Sequence, residues 1–474
     1  MQMSCAVYLL AVFTVGVHLS VLAGGSTRMR DFINSSLTGK CTQLDPAFAY
    51  FQNRSLDSIA EELEVRGYKS VSMTSSGGGK FPLADVLASH GINVRLLIVP
   101  MNGMYDTPPE LRLEVAKWKM VHKDPNFDAF AYFCLNSSGL RTYKQKQFVD
   151  TLLENPAFTA VDLAEPQIPA WTGPDDPAYG CLCDTCRKIF LSMHPAETDI
   201  PNFTDPSSPR YWKEGKALYN KWVDFRVHSV ADFLDFIVNG RDGIRERCPN
   251  VKVITWTLGC RAVGGDVVGI EREWQAMDAA AVISKVKPDA HSIQTDWPDW
   301  VMPSLPADYV KKYAPYLKSI RSVNSSIPVT FQTDSGSNTD MHRSFAWLDE
   351  LDKCAKQVGY IQTLNYQYHL ESDFYTKSPS LAKARLSKSG GVLTLIYDMC
   401  VDSRIAGDNS NYKLSCGKVV STRTDGNLVI LGVEGLTPGS TVTVNKMGNN
   451  PDVLCHKGYK QQMSGPAAVR VTAE

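Results

Sequence analysis

The sequence predicts an α/β fold, in which a (β/α)8 TIM barrel is followed by a small C-terminal antiparallel β-sandwich. Short β-branched and apolar runs alternate with longer amphipathic segments over about residues 60–388, which is typical of βα units around a parallel sheet. Eight such units agree with the barrel in number and length. The alternative is a doubly wound open sheet, but no G-x-G-x-x-G or P-loop sequence follows the first predicted strand.

The predicted barrel strands are residues 68–75, 92–100, 127–134, 158–165, 251–258, 289–296, 327–334 and 360–368. Amphipathic segments separate them, and in residues 216–247 the apolar side chains Trp222, Phe225 and Phe233 follow the spacing of one helix face. The longest insertion, residues 166–215, follows the fourth predicted strand. In a barrel, a loop at this position stands over the mouth where active sites lie.

After about residue 390 the pattern changes to short strands separated by turn residues, namely 392–397, 427–433, 441–445 and 468–472. We therefore divide the chain into a signal peptide (1–23), an N-terminal extension (24–59), a barrel catalytic domain (60–388) and a C-terminal β-sandwich domain (389–474).

Composition and charge narrow the range of partners. Hydrophobic residues make up 43% and charged residues 21% of the chain, which excludes a disordered tail, a fibre and a polytopic membrane protein. Lys and Arg (49) nearly balance Asp and Glu (50), so no overall field attracts nucleic acid or an acidic bilayer. We expect a weakly charged or neutral ligand, no nucleic-acid partner and no stable membrane insertion, while the oligomeric state stays open.

The first residues predict entry into the secretory pathway. An apolar run ends in Val21-Leu22-Ala23, which is typical of a cleaved signal peptide; the alternative is a transmembrane anchor, because the run is long and begins without Lys or Arg. Five N-x-[ST] sequons follow, at Asn34, Asn53, Asn136, Asn202 and Asn324. Together they predict a glycoprotein that is secreted or lysosomal.

Acidic, amide and aromatic residues are concentrated at the carboxyl ends of the predicted strands, where barrel enzymes place their catalytic groups. Glu165 ends the fourth strand, Asp296 the sixth and Asp334 the seventh. The candidate substrate-binding residues are Trp171, Trp256, Arg261, Trp297, Asn365, Tyr366, Tyr368 and His369. A pair of carboxylates divides the acid, base or nucleophile roles in glycoside hydrolysis, and aromatic rings stack on sugars.

Two motifs carry a resemblance to a known group of enzymes. Glu165 followed by Pro166 resembles the acid/base position of the large clan of barrel glycoside hydrolases that carry Asn-Glu-Pro there. The loop Cys181-Leu182-Cys183-Asp184-Thr185-Cys186 is similar to the C-x-C-x-x-C loop of family 42 β-galactosidases. The resemblance implies a glycosidase in which Glu165 is the general acid/base.

The chain departs from the pattern of that clan at two positions. Ala164 stands where the clan has an asparagine that contacts the 2-hydroxyl of the substrate, and Asp334 stands where it has a glutamate nucleophile. The shorter aspartate favours inversion or a different nucleophile, and Asp296 is the rival for that role.

The resemblance also implies a structural zinc site, in which Cys134 joins Cys181, Cys183 and Cys186. Four thiolates suit zinc. In an oxidising compartment, however, Cys181 or Cys183 would instead form a disulfide with Cys186 or Cys134, and both readings stay open. Eleven cysteines remain once Cys5 is removed with the signal peptide, and one disulfide is expected among Cys400, Cys416 and Cys455.

The sequence thus predicts a secreted glycoside hydrolase that acts on a carbohydrate or glycoconjugate, with Glu165 as acid/base and Asp334 or Asp296 as nucleophile or base. No cofactor is expected for catalysis. One alternative is a carbohydrate-binding protein on a hydrolase-like barrel that has lost its nucleophile, and another is a barrel hydrolase with a non-sugar substrate. The sugar, the linkage and the anomeric outcome are not predicted.

Overall fold

The computed structural model describes residues 32–33, 36–75, 77–104, 107–127, 132–261 and 263–474. The predicted signal peptide and the sequon at Asn34 lie outside the described residues. In the part of the chain that is described, no helix is both long enough and apolar enough to cross a membrane.

Eight parallel strands form a closed barrel in chain order, which confirms the predicted barrel. They are β1 (Lys40–Leu44), β2 (Tyr68–Ser75), β3 (Asn93–Ile98), β4 (Phe158–Leu163), β5 (Lys252–Gly259), β6 (Ala290–Thr295), β7 (Val329–Asp334) and β8 (Gln362–Tyr366). The barrel closes where Cys41 and Thr42 of β1 lie in register with Leu364 and Asn365 of β8.

The helices connect these strands and follow the barrel. They are α1 (Leu56–Val65), α2 (Pro82–Ser89), α3 (Arg112–Trp118), α4 (Ser138–Glu154), α5 (Asp184–Met193), α6 (Lys216–Asn239), α7 (Ile244–Arg247), α8 (Val267–Gln275), α9 (Ala279–Val286), α10 (Trp297–Trp300), α11 (Ala314–Val323), α12 (Phe345–Val358), α13 (Asp373–Thr376) and α14 (Ser403–Ala406). Short 3-10 turns cover Ala49–Phe51, Pro109–Leu111, Gly173–Asp175, Ala307–Tyr313, Thr339–Met341, Tyr368–Leu370, Asn409–Asn411 and Pro451–Val453.

Two predicted boundaries of the barrel are corrected. The first strand is Lys40–Leu44, within the segment predicted as an N-terminal extension. Residues 127–134 were predicted as a barrel strand, but Tyr132 and Phe133 form isolated bridges to Gly103 and Lys119 outside the barrel. The first segment is short and polar and therefore lacks a strand pattern. In the second, the described residue Phe133 is buried without belonging to a barrel strand. The two errors cancel, so strands four to eight keep their predicted order.

Polar side chains fill part of the barrel interior below the mouth. Asp162 of β4 pairs with Arg95 of β3 at 3.2 Å, and it accepts hydrogen bonds from Trp256 Nε1 (3.0 Å) and Ser72 Oγ (2.6 Å). All of these groups are buried. A buried charge pair is stable only when its remaining hydrogen-bonding capacity is satisfied, so this network forms a rigid floor to the site.

The C-terminal region consists of β9 (Leu381–Leu386), β10 (Val392–Tyr397), β11 (Tyr412–Leu414), β12 (Lys418–Asp425), β13 (Leu428–Glu434), β14 (Thr441–Val444), β15 (Met447–Gly448), β16 (Met463–Ser464) and β17 (Ala467–Ala473). Seven strands pair in the order β11-β14-β17-β9-β10-β13-β12, and β15 pairs with β16. The sheet begins at Leu381 rather than at residue 389. Its predicted antiparallel character is corrected at one pair, because β17 returns beside β9 in the same direction.

The predicted disulfide in this region is not formed. None of the eleven described cysteines forms a disulfide, and the three candidates contact other groups. Cys400 accepts a hydrogen bond from Arg54 Nη1, exposed Cys416 lies beside Ser440, and the Cys455 sulfur is 2.9 Å from His369 Nε2. The three thiols thus have separate neighbours, and no two of them are paired in a disulfide.

Candidate functional site

The barrel mouth holds a cavity of about 420 Å³, which we call the central cavity. Four glutamines contribute to its wall: Gln43 from β1, Gln294 from β6, Gln332 from β7 and Gln367 after β8. Glu165, Asp45, Thr74, Ser337, Phe48, Val99, Trp300 and Tyr366 complete it. Amide and hydroxyl groups both donate and accept hydrogen bonds, so the wall suits a ligand that carries many hydroxyl groups.

A second cavity of about 360 Å³, the tryptophan cleft, adjoins the first and shares Glu165, Gln294 and Trp300 with it. Trp171 from the loop after β4 and Trp297 from α10 form its outer wall, and both are substantially exposed (42% and 52%). Indole rings in such positions offer flat apolar surfaces for stacking. Asn102, Gln167, Tyr132, Pro100, Leu258 and Asp296 also line this cleft.

Glu165 lies where the two cavities meet. It follows β4 by two residues, and its φ of 61° places a non-glycine residue in the left-handed region, which costs about 1–3 kcal/mol. Gln294 Nε2 donates a hydrogen bond of 3.1 Å to Glu165 Oε1. Burial raises the pKa of the Glu165 carboxyl, the hydrogen bond from Gln294 opposes the shift, and the charge of Asp296 adds to it. The carboxyl therefore keeps its proton to a higher pH than an exposed glutamate.

Asp296 is the second carboxylate of the tryptophan cleft. It directly follows β6 and caps α10, where its Oδ1 accepts a hydrogen bond from the Trp297 backbone at 2.7 Å. Its Oδ2 accepts one from Gln275 Nε2 at 2.8 Å. Burial raises the pKa of Asp296, while these two donors oppose that shift. The carboxylate is thus held in one orientation next to the cavity that Glu165 also lines.

Asp334 has a different environment. Its Oδ1 accepts hydrogen bonds from the backbone of Gly336 and Ser337, both at 2.8 Å, and its Oδ2 accepts one from the Ser337 hydroxyl. It is 2% exposed and is not among the lining residues of either cavity. Its carboxylate therefore organises the loop after β7. Gln332 of the strand and Ser337 of that loop line the cavity instead.

The predicted substrate-binding residues fall into two groups. Trp171, Trp297 and Tyr366 line the cavities. The other five lie away from these walls. Trp256 bonds Asp162 inside the barrel, and Arg261 pairs with buried Asp299 at 3.2 Å. Asn365 bonds Glu371 outside the barrel, Tyr368 donates to Glu62, and His369 is buried against aromatic rings. Successive side chains of a strand point to opposite faces of the sheet, so only every second residue of a strand points into the barrel.

Several residues that line the cavities were not predicted from the sequence. Asp45 follows β1, which had no strand pattern, and the four glutamines carry no motif. Asp45 lines the central cavity, and burial raises the pKa of its carboxyl. The one available signal was that Gln294 and Gln332 each stand two positions before a strand-ending Asp.

The four predicted metal ligands converge. Sulfur atoms of Cys134, Cys181, Cys183 and Cys186 lie within 4.8 Å of one another, and Cys134 Sγ is 3.6 Å from Cys183 Sγ and 3.5 Å from Cys186 Sγ. A zinc ion bound by four thiolates at about 2.3 Å spaces its sulfurs about 3.8 Å apart, whereas a disulfide bond needs about 2.05 Å. The donor set and its spacing fit zinc.

In the absence of a metal, the contacts within the cluster favour the thiolate at Cys183 and raise the pKa of Cys181 and Cys186. Cys183 caps α5, where its sulfur accepts a hydrogen bond from the Cys186 backbone. Hydrogen bonds from Cys134, Cys181 and Cys186 hold the pKa of Cys183 well below its ordinary value. Asn136 Nδ2 donates to Cys186 Sγ at 3.3 Å and to Ser229 Oγ at 2.9 Å. Asn136 is one of the five predicted sequons, and a glycan on this nitrogen would disturb both bonds.

Comparison with protein-family models and with curated proteins gave no match. Solved structures that share the barrel include a β-galactosidase from Bacillus circulans sp. alkalophilus (14% identity, TM-score 0.46, covering 70% of this chain and 50% of that one). Others are a β-galactosidase from Marinomonas ef1 (10%, 0.49, 69% and 54%) and the catalytic domain of a β-amylase from Paenibacillus polymyxa (11%, 0.48, 70% and 93%). The chain spans about half the length of these β-galactosidases. The similarity concerns the barrel fold.

Proposed function

We propose that this protein is a glycoside hydrolase for a neutral sugar, with Glu165 as general acid/base and Asp296 as the second carboxylate. The observation that carries the proposal is that both carboxyl groups line one cleft at the barrel mouth. Glycoside hydrolysis needs a protonated acid and a second carboxylate on either side of the bond. The raised pKa of Glu165 suits the acid, and the two hydrogen bonds on Asp296 oppose the rise that burial causes in its pKa.

The charge of the cavities supports a neutral sugar. Among the described residues that line the central cavity and the tryptophan cleft, none is Lys, Arg or His, and three are acidic. A carboxylated or phosphorylated sugar would meet repulsion there and no counter-charge. Five glutamines and two exposed tryptophans instead match hydroxyl groups and the apolar face of a sugar ring.

The test uses a panel of 4-nitrophenyl α- and β-glycosides of neutral sugars and of one uronic acid. We expect release of nitrophenol from a neutral glycoside. On the ethyl glycoside of the same sugar, whose leaving group needs a proton, Glu165→Gln should lower the rate by about 10²–10⁴ because the amide has no proton to give. Glu214→Gln, at an exposed position, is the matched control and should keep the rate. An unchanged rate for Glu165→Gln would remove Glu165 from the mechanism, and a preference for the uronide would contradict the neutral-sugar assignment.

The same assay distinguishes the roles of Asp296 and Asp334. Asp296→Ala should abolish turnover, and added azide should restore it if the carboxylate is the nucleophile of a retaining enzyme, because azide fits the space left by the side chain. Asp334→Asn should mainly lower thermal stability, since its carboxylate holds a loop. A folded Asp334→Asn protein without activity, together with an active Asp296→Ala protein, would reverse the assignment.

One observation favours a second candidate, a carbohydrate-binding protein without hydrolysis. Strand β7, which carries a glutamate nucleophile in the clan that the sequence resembles, presents Gln332 to the cavity. Binding of sugars by the wild-type protein on a glycan array, with no product released from any of the bound glycans, would support that function. Release of a reducing sugar would support the enzyme.

We further propose that Cys134, Cys181, Cys183 and Cys186 hold a structural zinc ion. Such an ion would tie the loop after β4 to the segment that follows the bridge at Phe133, because the four ligands come from these two pieces of chain. Trp171 belongs to the same insertion, so the ion would help to fix the outer wall of the tryptophan cleft. Four protein ligands leave no open position, which makes a catalytic role for this metal unsuitable.

A further inference from the structure

A third cavity of about 330 Å³, the side pocket, lies next to the tryptophan cleft. Three indole rings line it: Trp171 from the loop after β4, Trp274 from α8 and Trp297 from α10. Val263, Glu271 and Gln275 also contribute to its wall. Three tryptophans around one pocket create a largely apolar binding surface with flat walls.

The side pocket is continuous with the proposed site of bond cleavage. Trp171, Asp296 and Trp297 line both the side pocket and the tryptophan cleft. Asp296 therefore borders both spaces, and Glu165 also lines the cleft. A substrate with its sugar in the cleft would direct the group on the far side of the scissile bond toward this pocket.

Two buried polar atoms of the pocket wall lack a hydrogen-bond partner within the described chain. They are Oε2 of Glu271, a residue that is 1% exposed, and Oε1 of Gln275, which is 2% exposed. The Nε2 group of Gln275 is already used by Asp296. An unpaired buried polar atom costs about 1–3 kcal/mol, so a ligand hydroxyl that bonds to either atom would recover part of this cost.

Glu271 contributes a neutral group rather than a charge. Burial raises the pKa of this carboxyl well above its ordinary value, and the charges of Asp296 and Asp299 add to the effect. A neutral carboxyl both donates and accepts a hydrogen bond, which suits a hydroxyl group and offers no attraction to a cation. The pocket thus combines apolar walls with one small polar corner.

The walls of the pocket are held in place by buried Arg226 of α6. Its guanidinium donates to the carbonyl oxygens of Gly180 (2.8 Å), Glu273 (2.7 Å), Trp274 (3.1 Å) and Ile168 (3.3 Å). These bonds join the end of α8 to the loop after β4. Trp274 also packs against Gly173, where an added Cβ atom would come within 2.8 Å of the indole. Such a pocket is preformed, and binding then costs less ordering of the protein.

We propose that the side pocket binds the aglycone of the substrate, and that this aglycone is an apolar ring that carries a hydroxyl group. The proposal rests on the function proposed above and adds the chemical class of the leaving group. A second sugar ring fits less well, because its several hydroxyl groups would need more partners than the two unpaired atoms of the wall supply. Phenolic and other hydroxylated ring aglycones satisfy both the indole surfaces and the polar corner.

The first test measures binding without catalysis, with 2-naphthol and naphthalene as probes in calorimetric titrations. We expect 2-naphthol to bind the wild-type protein more tightly than naphthalene. Trp274→Leu should lower the affinity for 2-naphthol by about tenfold, because the contact between the two rings is lost. Trp347→Leu, in α12 and outside all three cavities, is the matched control and should change the affinity by less than about twofold.

A second variant guards against misfolding of the first. Glu271→Leu removes an unpaired buried carboxyl and should therefore keep or raise the melting temperature, while the preference for 2-naphthol over naphthalene should disappear. Equal binding of 2-naphthol by the wild type and by Trp274→Leu, or a preference that survives Glu271→Leu, would overturn the proposal.

The second test uses the sugar that the panel above identifies, as its ethyl and 2-(4-hydroxyphenyl)ethyl glycosides, whose leaving alcohols have similar acidity. We expect kcat/KM to be about tenfold higher for the aryl compound, with most of the gain in KM, and Trp274→Leu should remove this difference. Hydrolysis of both glycosides at equal rates would overturn the aglycone assignment while leaving the glycosidase intact. Naphthol binding without hydrolysis of any glycoside would instead overturn the glycosidase, and the aglycone role with it.

Discussion

Glu165 combines two features that lower stability, a left-handed backbone and a buried carboxyl. Residues held in this way are found at functional sites, where stability is sacrificed for activity. We expect Glu165→Asn to abolish activity and to raise the free energy of unfolding by about 1 kcal/mol, because asparagine tolerates positive φ and carries no charge. Urea denaturation measures the change.

The control for this prediction is Lys287→Asn. Lys287 is exposed at the end of α9 and has a φ of 53°, so the substitution should give a similar backbone gain with full activity. If Glu165→Asn is less stable than the wild type, while Lys287→Asn is more stable, then the Glu165 side chain itself stabilises the fold and the trade-off is absent.

Gln294 sets the acidity of Glu165. Its hydrogen bond stabilises the ionised carboxyl and opposes the upward shift caused by burial. Gln294→Met removes that bond, so the pKa of Glu165 rises further. An acid that keeps its proton longer remains active at higher pH, and the alkaline limb of the kcat/KM profile should move to higher pH. The profile is measured with the ethyl glycoside of the neutral sugar, whose leaving group needs the proton of Glu165.

The stability of the same variant should change in a related direction. Because the folded pKa of Glu165 lies above its unfolded value, the group favours folding at low pH, and this contribution is lost as pH rises through the folded pKa. The loss of stability in Gln294→Met should therefore continue to a higher pH than in the wild type. Gln332→Met, which alters the same cavity without a bond to Glu165, should change KM and leave the alkaline limb in place; a limb that moves equally in both variants would contradict the role of Gln294.

At the scale of elements, the sequence predicts those strands that have a clear pattern of apolar and β-branched residues. The predicted positions of the barrel strands β2 to β8 agree with the structure within a few residues, whereas β9, β11, β12, β15 and β16 of the C-terminal region were not predicted. Strand β1, with the sequence KCTQL, has almost no pattern, since its order comes from pairing with Tyr68–Ser75 and Gln362–Tyr366. Tertiary pairing overrides local preference in such a strand.

The residues of the candidate site could be predicted only where they belong to a sequence motif or are of a rare, chemically distinctive type. Glu165 and the four cysteines belong to recognisable motifs, and Trp171 is a candidate because tryptophan is rare and often binds sugars. The side-chain directions at strand ends could not be read, so Trp256 and Asn365 were assigned to a mouth that they do not line. Asp334 has the expected position, but only its loop bonds reveal where its carboxylate points.

The cysteine cluster gives a prediction for the loop after β4. We expect the purified protein to contain one zinc ion per chain by mass spectrometry under native conditions. Removing the ion with a chelator should lower the melting temperature by several degrees, because a site of this kind forms only in the folded chain. Cys183→Ser should lose the ion and show the same lower temperature with or without chelator.

Exposed Cys416 supplies the control, since Cys416→Ser changes a thiol that lies far from the cluster in the C-terminal sheet. That variant should keep the metal and its response to chelator. If a reducing agent lowers the melting temperature while the chelator has no effect, the cluster contains disulfides and the zinc assignment is wrong.

At the scale of the whole molecule, helix α1 joins the barrel to the C-terminal sheet through buried and half-buried charges. Arg54 pairs with Glu62 of α1 at 2.9 Å, and both side chains are almost fully buried (2% and 1% exposed). Arg54 also donates to Asn427 Oδ1 at 2.9 Å. Lys383 of β9 pairs with Glu64 at 2.8 Å, and Arg385 pairs with Glu61. These contacts predict that barrel and sheet unfold together as one cooperative unit.

Arg54→Ala tests this coupling because it leaves the Glu62 carboxylate buried without its counter-charge. We expect a loss of about 3–5 kcal/mol in the free energy of unfolding, measured by urea denaturation with a single transition. The double variant Arg54→Met/Glu62→Gln should recover most of the loss, since a neutral amide still accepts the hydroxyl groups of Tyr50 and Tyr368 that now bond Glu62. Lys418→Ala, which breaks the exposed pair with Glu434, should cost less than about 1 kcal/mol. Two separate transitions in the wild type, only one of them sensitive to Arg54→Ala, would show that the sheet and the barrel are energetically independent, and the contacts of α1 would then add no cooperativity.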